Sequence, residues 1–128
     1  MDADLGAAKY ISITTYRRTG AGVATTVWPV AVEGKLYVST GSRTGKVKRI
    51  RNNPDISVAQ CDGRGRSTGA AHKGVARIIP VAQHPEVETA MVRKYGVQKR
   101  IINLVDKVRG KNSKSFGERI LLELVLED

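Results

Sequence analysis

Six short runs rich in β-branched and aromatic residues, each bounded by turn residues, constrain the fold of this 128-residue chain most strongly. Such runs predict strands, and the glycines in the links RRTGAG and EGK favour hairpin turns that form an antiparallel meander. Six mainly antiparallel strands in so short a chain are best accommodated by a small barrel, which leaves few open edges. A two-layer α+β sandwich is the alternative. The predicted strands cover residues 10–15, 22–30, 35–40, 55–60, 72–79 and 118–126.

Helical patterns appear between the strands and late in the chain. A short helix over residues 45–52 is ended by Pro54, which pushes the residue before it toward an extended conformation. After Pro80, apolar residues four apart predict a helix that stops at Gly96, and a second amphipathic helix covers 97–109. In the last predicted strand, alternating leucines indicate one face that is more buried than the other. No repeat or linker divides the chain, so residues 1–128 are expected to form one domain.

The charge balance indicates an anionic partner. The chain has 22 Lys and Arg against 12 Asp and Glu, a net charge of +10, and such a field attracts polyanions at long range. Nucleic acid, acidic lipid, a phosphorylated ligand and a basic surface kept for solubility all stay open. No run approaches the roughly 18 apolar residues of a membrane span. The N-terminus lacks the features of an export signal, so we expect the cytoplasm. With Cys61 alone and two histidines, neither an intrachain disulfide nor a zinc site is expected.

The stretch TGSRTGKVKRIRNNP, residues 40–54, carries five cationic side chains. It follows a predicted strand and opens a predicted helix, whose first turn presents free N–H groups and a partial positive charge to a phosphate. Lys46 would add a full charge, and Gly41 and Gly45 would let the backbone approach a ligand. Those glycines enclose three residues and Val47 follows Lys46, which excludes a nucleotide P-loop. The alternative is a short amphipathic helix with Lys48, Arg49 and Arg51 in water.

Conventional catalytic motifs are missing from the sequence. There is no G-x-S-x-G or H-E-x-x-H motif, and the sequence around His72 and His84 does not match a recognisable catalytic pattern. If the protein is an enzyme, a bound cofactor carries the chemistry. Trp28, the only tryptophan, either walls a site for a flat ligand or fills the core.

Several motifs together resemble one superfamily. The stretches KYISITTYRRTG, GVATTVWPV, GKLYVSTGSRTGKVKRIRNNPDISVAQCDGRGR and GVARII are similar to the split β-barrel flavin and deazaflavin oxidoreductases. The resemblance is strongest to pyridoxamine-phosphate-oxidase-like proteins that depend on coenzyme F420, and it covers nearly the whole chain. It implies a mainly β, six-stranded, FMN-binding-like split barrel with short peripheral helices. It also implies a homodimer with a cofactor in each of two grooves between the subunits.

The resemblance implies a set of cofactor-binding positions but no catalytic residue. Lys46 matches the phosphate-binding lysine, and Thr40 and Ser42 match positions along the phosphate and ribityl chain. Residues matching the strand that borders the isoalloxazine-like ring are Thr25, Thr26, Val27 and Trp28. The resemblance also implies Arg43, Lys48 and Arg51 as cofactor-binding cations, and it only suggests Arg64 and Arg66. Two departures are Thr26, where the family has proline, and His72 with Lys73, which replace an apolar and acidic pair.

The implied activity is hydride transfer between coenzyme F420 and an unidentified small-molecule acceptor, with solvent or a side chain such as Tyr16 as the proton source. The net charge of +10 favours F420 over FMN, because F420 adds a polyglutamate tail to its phosphate. An FMN-dependent oxidoreductase of the same fold and a non-catalytic cofactor carrier are the alternatives. A basic nucleic-acid-binding module is less favoured, since the aromatic residues are scattered and not interleaved with the basic run.

Overall fold

The computed structural model describes residues 3–108 and 117–127, and the side chains of residues 5–96 and 117–127. These residues form seven strands: β1 (Ile11–Tyr16), β2 (Gly22–Val27), β3 (Pro29–Val32), β4 (Lys35–Gly41), β5 (Asp55–Gln60), β6 (His72–Ile79) and β7 (Arg119–Leu126). The helices are α1 (Ala3–Ala7), α2 (Gly45–Asn52) and α3 (Pro85–Val108), with a 3-10 turn at Val81–Gln83. None of the helices in these ranges has an apolar stretch long enough to cross a membrane.

The seven strands form one antiparallel sheet that curls on itself. Their order is β2-β1-β5-β6-β7-β4-β3, so β2 and β3 lie at opposite edges. The chain nevertheless joins these edges through Trp28 alone. A one-residue link spans roughly 7 Å between its flanking Cα atoms, so the two edges must meet at this residue. The expectation of a mainly β, curled antiparallel sheet is therefore confirmed.

The predicted number of six strands is wrong, because the expected strand over residues 22–30 is divided at Trp28. Val27 pairs with Ile11 of β1, whereas Pro29 pairs with Val38 of β4. Proline lacks an N–H group and restricts the residue before it, so the ladder ends on one side of Trp28 and starts anew on the other. The first three predicted strands consequently form two hairpins at opposite sheet edges and not a single meander.

The interior of the curled sheet is apolar and is closed by the two short helices. Inward residues of β1, β4 and β7 are almost completely buried, and each contributes roughly 1.5–3 kcal/mol by leaving water. They include Ile11, Ile13, Leu36, Val38, Leu122 and Leu124, at 0–1% exposure. Leu5 of α1 and Val47 and Ile50 of α2 belong to the same core. Strand β1 connects the two helices, because it follows α1 directly and its Thr15 contacts α2.

The outer face of the sheet is covered where α3 packs on it. Val87 and Met91 of α3 form a second cluster with Tyr37 and Leu121. Residues 121–124 of β7 are therefore buried on both faces, and the alternating pattern that predicted one buried face did not show this cover. Glu123 is buried among them, and its carboxylate accepts a hydrogen bond from the Tyr37 hydroxyl at 3.3 Å. Arg77 and Lys35 lie 3.5 and 3.7 Å from the same carboxylate, which compensates its charge.

The break between the two predicted late helices lies one residue before Gly96. Tyr95 has non-helical dihedral angles (φ −117°, ψ 17°) and kinks α3, which continues to Val108. The final residue of the predicted helix over 97–109 lies outside the described residues.

The kink of α3 holds the joint between β2 and β3. Lys94 Nζ donates hydrogen bonds to the carbonyl oxygens of Gly6, Ala8 and Pro29 at 3.0, 2.7 and 2.7 Å. The Tyr95 hydroxyl also contacts the Pro29 carbonyl, and its ring stacks on Trp28 with centroids 5.2 Å apart. These contacts tie α1, α3 and the start of β3 into one unit.

We predict that Lys94→Met lowers the free energy of unfolding by about 2 kcal/mol, because three carbonyl oxygens lose a charged donor. Denaturant unfolding followed by Trp28 fluorescence measures the loss. Arg93→Met removes the same charge from an exposed neighbour and should stay within about 0.5 kcal/mol of the wild type. Equal losses in the two variants would contradict the role given to Lys94.

Candidate functional site

The turn from β4 into α2 leaves the first turn of the helix without a side-chain cap. Thr44 is the N-cap residue, but its hydroxyl donates to the Gly41 carbonyl oxygen at 3.1 Å and does not accept from a helix N–H group. The same hydroxyl lies 3.4 Å from that of Thr40, which is buried at the end of β4. The first turn of α2 also contains no acidic residue. Its partial positive charge is therefore not compensated by these groups.

The loop between β4 and α2 is held in position by the two residues that precede β7. The Ser42 N–H group donates to the Glu118 carbonyl oxygen at 2.8 Å. Gly117 lies against this loop with φ +75°, and a Cβ atom there would collide with Ser42 Oγ and Arg43 Cγ. Ser42 is half-buried, whereas Arg43 is exposed. Glycine at position 117 thus allows the two chain segments to approach each other.

Lys46 lies half-buried in the first turn of α2, next to a second cation. Burial lowers the pKa of Lys46, and the nearby positive charge of Arg49 lowers this pKa further. No carboxylate forms an ion pair with Lys46 in the described part of the chain. A cation removed from water and left beside another cation is destabilised, and an anionic ligand would relieve both effects.

Arg49 is not a solvated residue, and its predicted position in water is wrong. Its Nε atom donates to Thr15 Oγ1 at 2.6 Å, and Thr15 is 0% exposed on β1. The guanidinium also lies over Gly45, where a Cβ atom would be 2.9 Å from Nη1. The sequence spacing indicates this arrangement. Arg49 lies three residues after Lys46 and four after Gly45, and residues so spaced share one face of a helix. The partner Thr15, 34 positions earlier, was not predictable from that spacing.

The second group of predicted residues lies on β2 and the joint that follows it. Val27 is buried in the core, Thr25 is half-buried and Thr26 is exposed. Trp28 is half-buried between two tyrosine rings, with Tyr10 edge-on at 6.2 Å and Tyr95 stacked at 5.2 Å. The tryptophan thus has a fixed ring plane and a partly exposed surface, so it does not serve as core alone.

The structure brings together only some of the predicted site residues. Thr40, Ser42, Arg43 and Lys46 lie around the junction of β4 and α2, whereas Lys48 and Arg51 lie further along α2 with exposed side chains. The connection from this junction to Thr25 runs through β1, because Thr15 pairs with Val23, two residues before Thr25 on β2. The residues predicted to bind the phosphate and those predicted to border the ring are thereby linked through one strand.

The loop after β5 is ordered by Asp62 and carries the two remaining arginines. The Asp62 carboxylate accepts from the backbone N–H groups of Arg64 and Arg66 at 2.9 Å, and from Arg66 Nε at 2.8 Å. Both arginine side chains are exposed. Gly65 of this loop approaches Thr26, which lies 2.8 Å from the position of a Cβ atom. The neighbouring Cys61 is buried, and burial raises the pKa of its thiol, so it is not an activated nucleophile.

Comparison with known proteins shows the fold. No protein-family model and no curated protein matches the chain. A candidate pyridoxamine 5′-phosphate oxidase from Listeria innocua superposes with a TM-score of 0.60 at 19% identity, over 98% of this chain and 90% of that protein. A heme storage protein from Vibrio cholerae superposes with a TM-score of 0.66 at 14% identity, over 94% of this chain and 82% of that protein. An F420 reductase superposes with a TM-score of 0.57 at 13% identity, over 93% of this chain and 86% of that protein. The chain therefore has the split-barrel fold of pyridoxamine-oxidase-like proteins.

We predict that Gly117→Ala displaces the Ser42–Arg43 loop and destabilises the protein more than Gly34→Ala does. Both glycines have positive φ, at +75° and +79°, but a Cβ atom at Gly34 would meet nothing within 4 Å. The Gly34 variant should lose about 1 kcal/mol from backbone strain alone, and the Gly117 variant should lose that amount plus the cost of the collision. Thermal unfolding measures both, and equal losses would mean that the contact with Ser42 and Arg43 is unimportant.

Proposed function

We propose that this protein is a coenzyme F420-dependent oxidoreductase, a cytoplasmic homodimer that binds the cofactor phosphate at the start of α2. It transfers hydride between the cofactor and a small-molecule acceptor in a groove between the subunits. The observation that carries this proposal is the half-buried pair Lys46 and Arg49, which has no carboxylate beside Lys46 in the described residues and adjoins an uncapped helix turn.

The arrangement fits a phosphate group. A phosphate at this place would receive backbone N–H groups and the positive end of the helix. It would also supply a negative charge beside the half-buried Lys46, and the hydrogen bonds that the phosphate accepts would be charge-assisted. Ser42 adds a half-buried hydroxyl from the preceding loop.

The exposed cations around the junction of β4 and α2 favour F420 over FMN. Arg43, Lys48 and Arg51 lie on the loop and on the outer side of α2, beyond the half-buried pair. FMN ends at its phosphate, whereas F420 continues into a tail of glutamate carboxylates that such side chains would attract. One protein of the same fold is an F420 reductase, which supports this choice.

The bound cofactor would supply the hydride chemistry, and the residues of the chain would bind and orient it. Lys46 would hold the phosphate, and the backbone of residues 25–28 would border the ring. Tyr10 and Tyr95 fix the plane of Trp28 at the end of this segment. Burial raises the pKa of Tyr95 far above its ordinary value, so this hydroxyl stays protonated and continues to donate toward the Pro29 carbonyl. The proton for the acceptor would come from solvent or from Tyr16.

We predict that the protein binds F420 more tightly than FMN, and that Lys46→Ala weakens binding about 10- to 100-fold, as expected for a charged hydrogen bond. Fluorescence titration at moderate salt measures both. Lys73→Ala, which removes an exposed lysine of β6, is the matched control. Unchanged affinity in Lys46→Ala would refute the phosphate assignment.

The same titrations separate the alternatives. Tighter binding of FMN would favour an FMN-dependent oxidoreductase of this fold. Binding of F420 without oxidation of the reduced cofactor by any acceptor in a broad panel would indicate a carrier. If neither cofactor binds and the protein instead binds DNA or RNA with a steep salt dependence, the nucleic-acid interpretation is correct.

The affinity for the cofactor should fall as the pH rises through the pKa of Lys46, because only the protonated amine attracts phosphate. Burial places this pKa below the ordinary lysine value of 10.5 in the free protein, so the fall should begin at lower pH than for an exposed lysine. Lys46→Arg keeps its charge and should not show this fall. Dissociation constants measured against pH for both proteins test the prediction, and any decline common to both belongs to the ligand. Parallel pH curves for the wild type and Lys46→Arg would contradict the prediction.

A further inference from the structure

Arg49 lies one helical turn after Lys46, and the two half-buried side chains share a face of α2. Cationic side chains normally keep their charged ends in water unless an anion compensates them. In the part of the chain that the structure describes, the Arg49 side chain has a single hydrogen-bond partner, the neutral hydroxyl of Thr15. Its charge therefore has no protein counter-ion here.

Thr15 fixes the orientation of the arginine from inside the barrel. It alternates with Ile11 and Ile13 on the inner face of β1 and is 0% exposed. Its hydroxyl accepts from Arg49 Nε at 2.6 Å. A guanidinium group has five N–H donors, so this bond leaves the four on the two Nη atoms, which form the planar end suited to bidentate phosphate contact.

The free end of the guanidinium lies at the first turn of α2. Nη1 would be 2.9 Å from a Cβ atom at Gly45, the residue directly before Lys46. Glycine therefore leaves the space that the guanidinium occupies. Arg49 Nη1 thereby reaches back to the first turn of α2, which also carries the uncapped backbone N–H groups and Lys46.

We infer that Arg49 is a second phosphate-binding cation of this site and that the buried Thr15 is its positioning residue, an inference that rests on the proposed cofactor binding. Lys46 contributes a point charge, and Arg49 contributes a planar donor pair with fixed direction. The ligand group recognised is a phosphate with at least two free oxygens. Thr15 has no exposed surface and acts only through Arg49.

The test is a double-mutant cycle measured with two ligands that differ in the phosphate. The variants are Arg49→Met, Thr15→Val and the double variant. The ligands are whichever cofactor the wild type binds, F420 or FMN, together with its phosphate-free form, the F420 chromophore bearing ribitol or riboflavin. Arg93→Met, an exposed arginine of α3, controls for the loss of one positive charge.

Arg49→Met should lower the affinity for the phosphorylated ligand about 10- to 100-fold and leave that for the phosphate-free ligand within about twofold of the wild type. Thr15→Val should lower the affinity for the phosphorylated ligand about three- to tenfold. It should have no further effect in the Arg49→Met background, since the effects of coupled residues are not additive. Arg49→Lys, which keeps the charge but not the planar donors, should fall between the wild type and Arg49→Met. Arg93→Met should match the wild type.

An equal effect of Arg49→Met on both ligands, or additive effects of Thr15→Val and Arg49→Met, would overturn the inference. If Arg49→Met does not fold, Arg49→Lys and Thr15→Val still decide, because both are conservative and either should reduce phosphate-dependent affinity. Failure of the proposed function has a different signature, in which the wild type binds neither cofactor. Wild-type binding that Lys46→Ala weakens and Arg49→Met does not would refute only the role of Arg49.

Discussion

The two edges of the sheet are joined by Trp28 alone, and this short link determines the shape of the molecule. Strands β2 and β3 end the sheet on opposite sides, so a one-residue connection is possible only if the sheet curls until its edges meet. Helix α3 then stabilises the joint from outside, through Lys94 and Tyr95 on the Pro29 carbonyl oxygen. The same packing fixes the ring of Trp28 between two tyrosines.

A curled sheet has open ends, and the way in which one end is closed produces the candidate site. Helix α2 inserts Val47 and Ile50 into the core. The adjoining positions of so short a helix, Lys46 and Arg49, are thereby drawn partly out of water. Since the hydroxyl of Thr15 faces inward, it gives the arginine a neutral anchor, and no carboxylate of the described residues forms an ion pair with the guanidinium. Closure of the barrel and affinity for an anion thus have the same structural origin.

Local patterns in the sequence predicted the elements well, and long-range contacts account for what they missed. The bounds of α2, β5 and β6 agree with the predicted ranges, because alternation and turn residues are local signals. The division of the strand at Trp28 depends on two different pairing partners, and the burial of Glu123 depends on helix α3. Arg49 was misplaced because its partner lies on another strand. The proposed cofactor rests on family resemblance and not on any single spacing.

A crystal structure of the protein with F420 tests the central claim most directly. The account predicts the cofactor phosphate at the start of α2, within hydrogen-bond distance of Lys46 Nζ and of an Arg49 Nη group, with Thr15 still bonded to Arg49 Nε. A phosphate bound elsewhere on the barrel, with Lys46 and Arg49 unchanged and solvent between them, would contradict it.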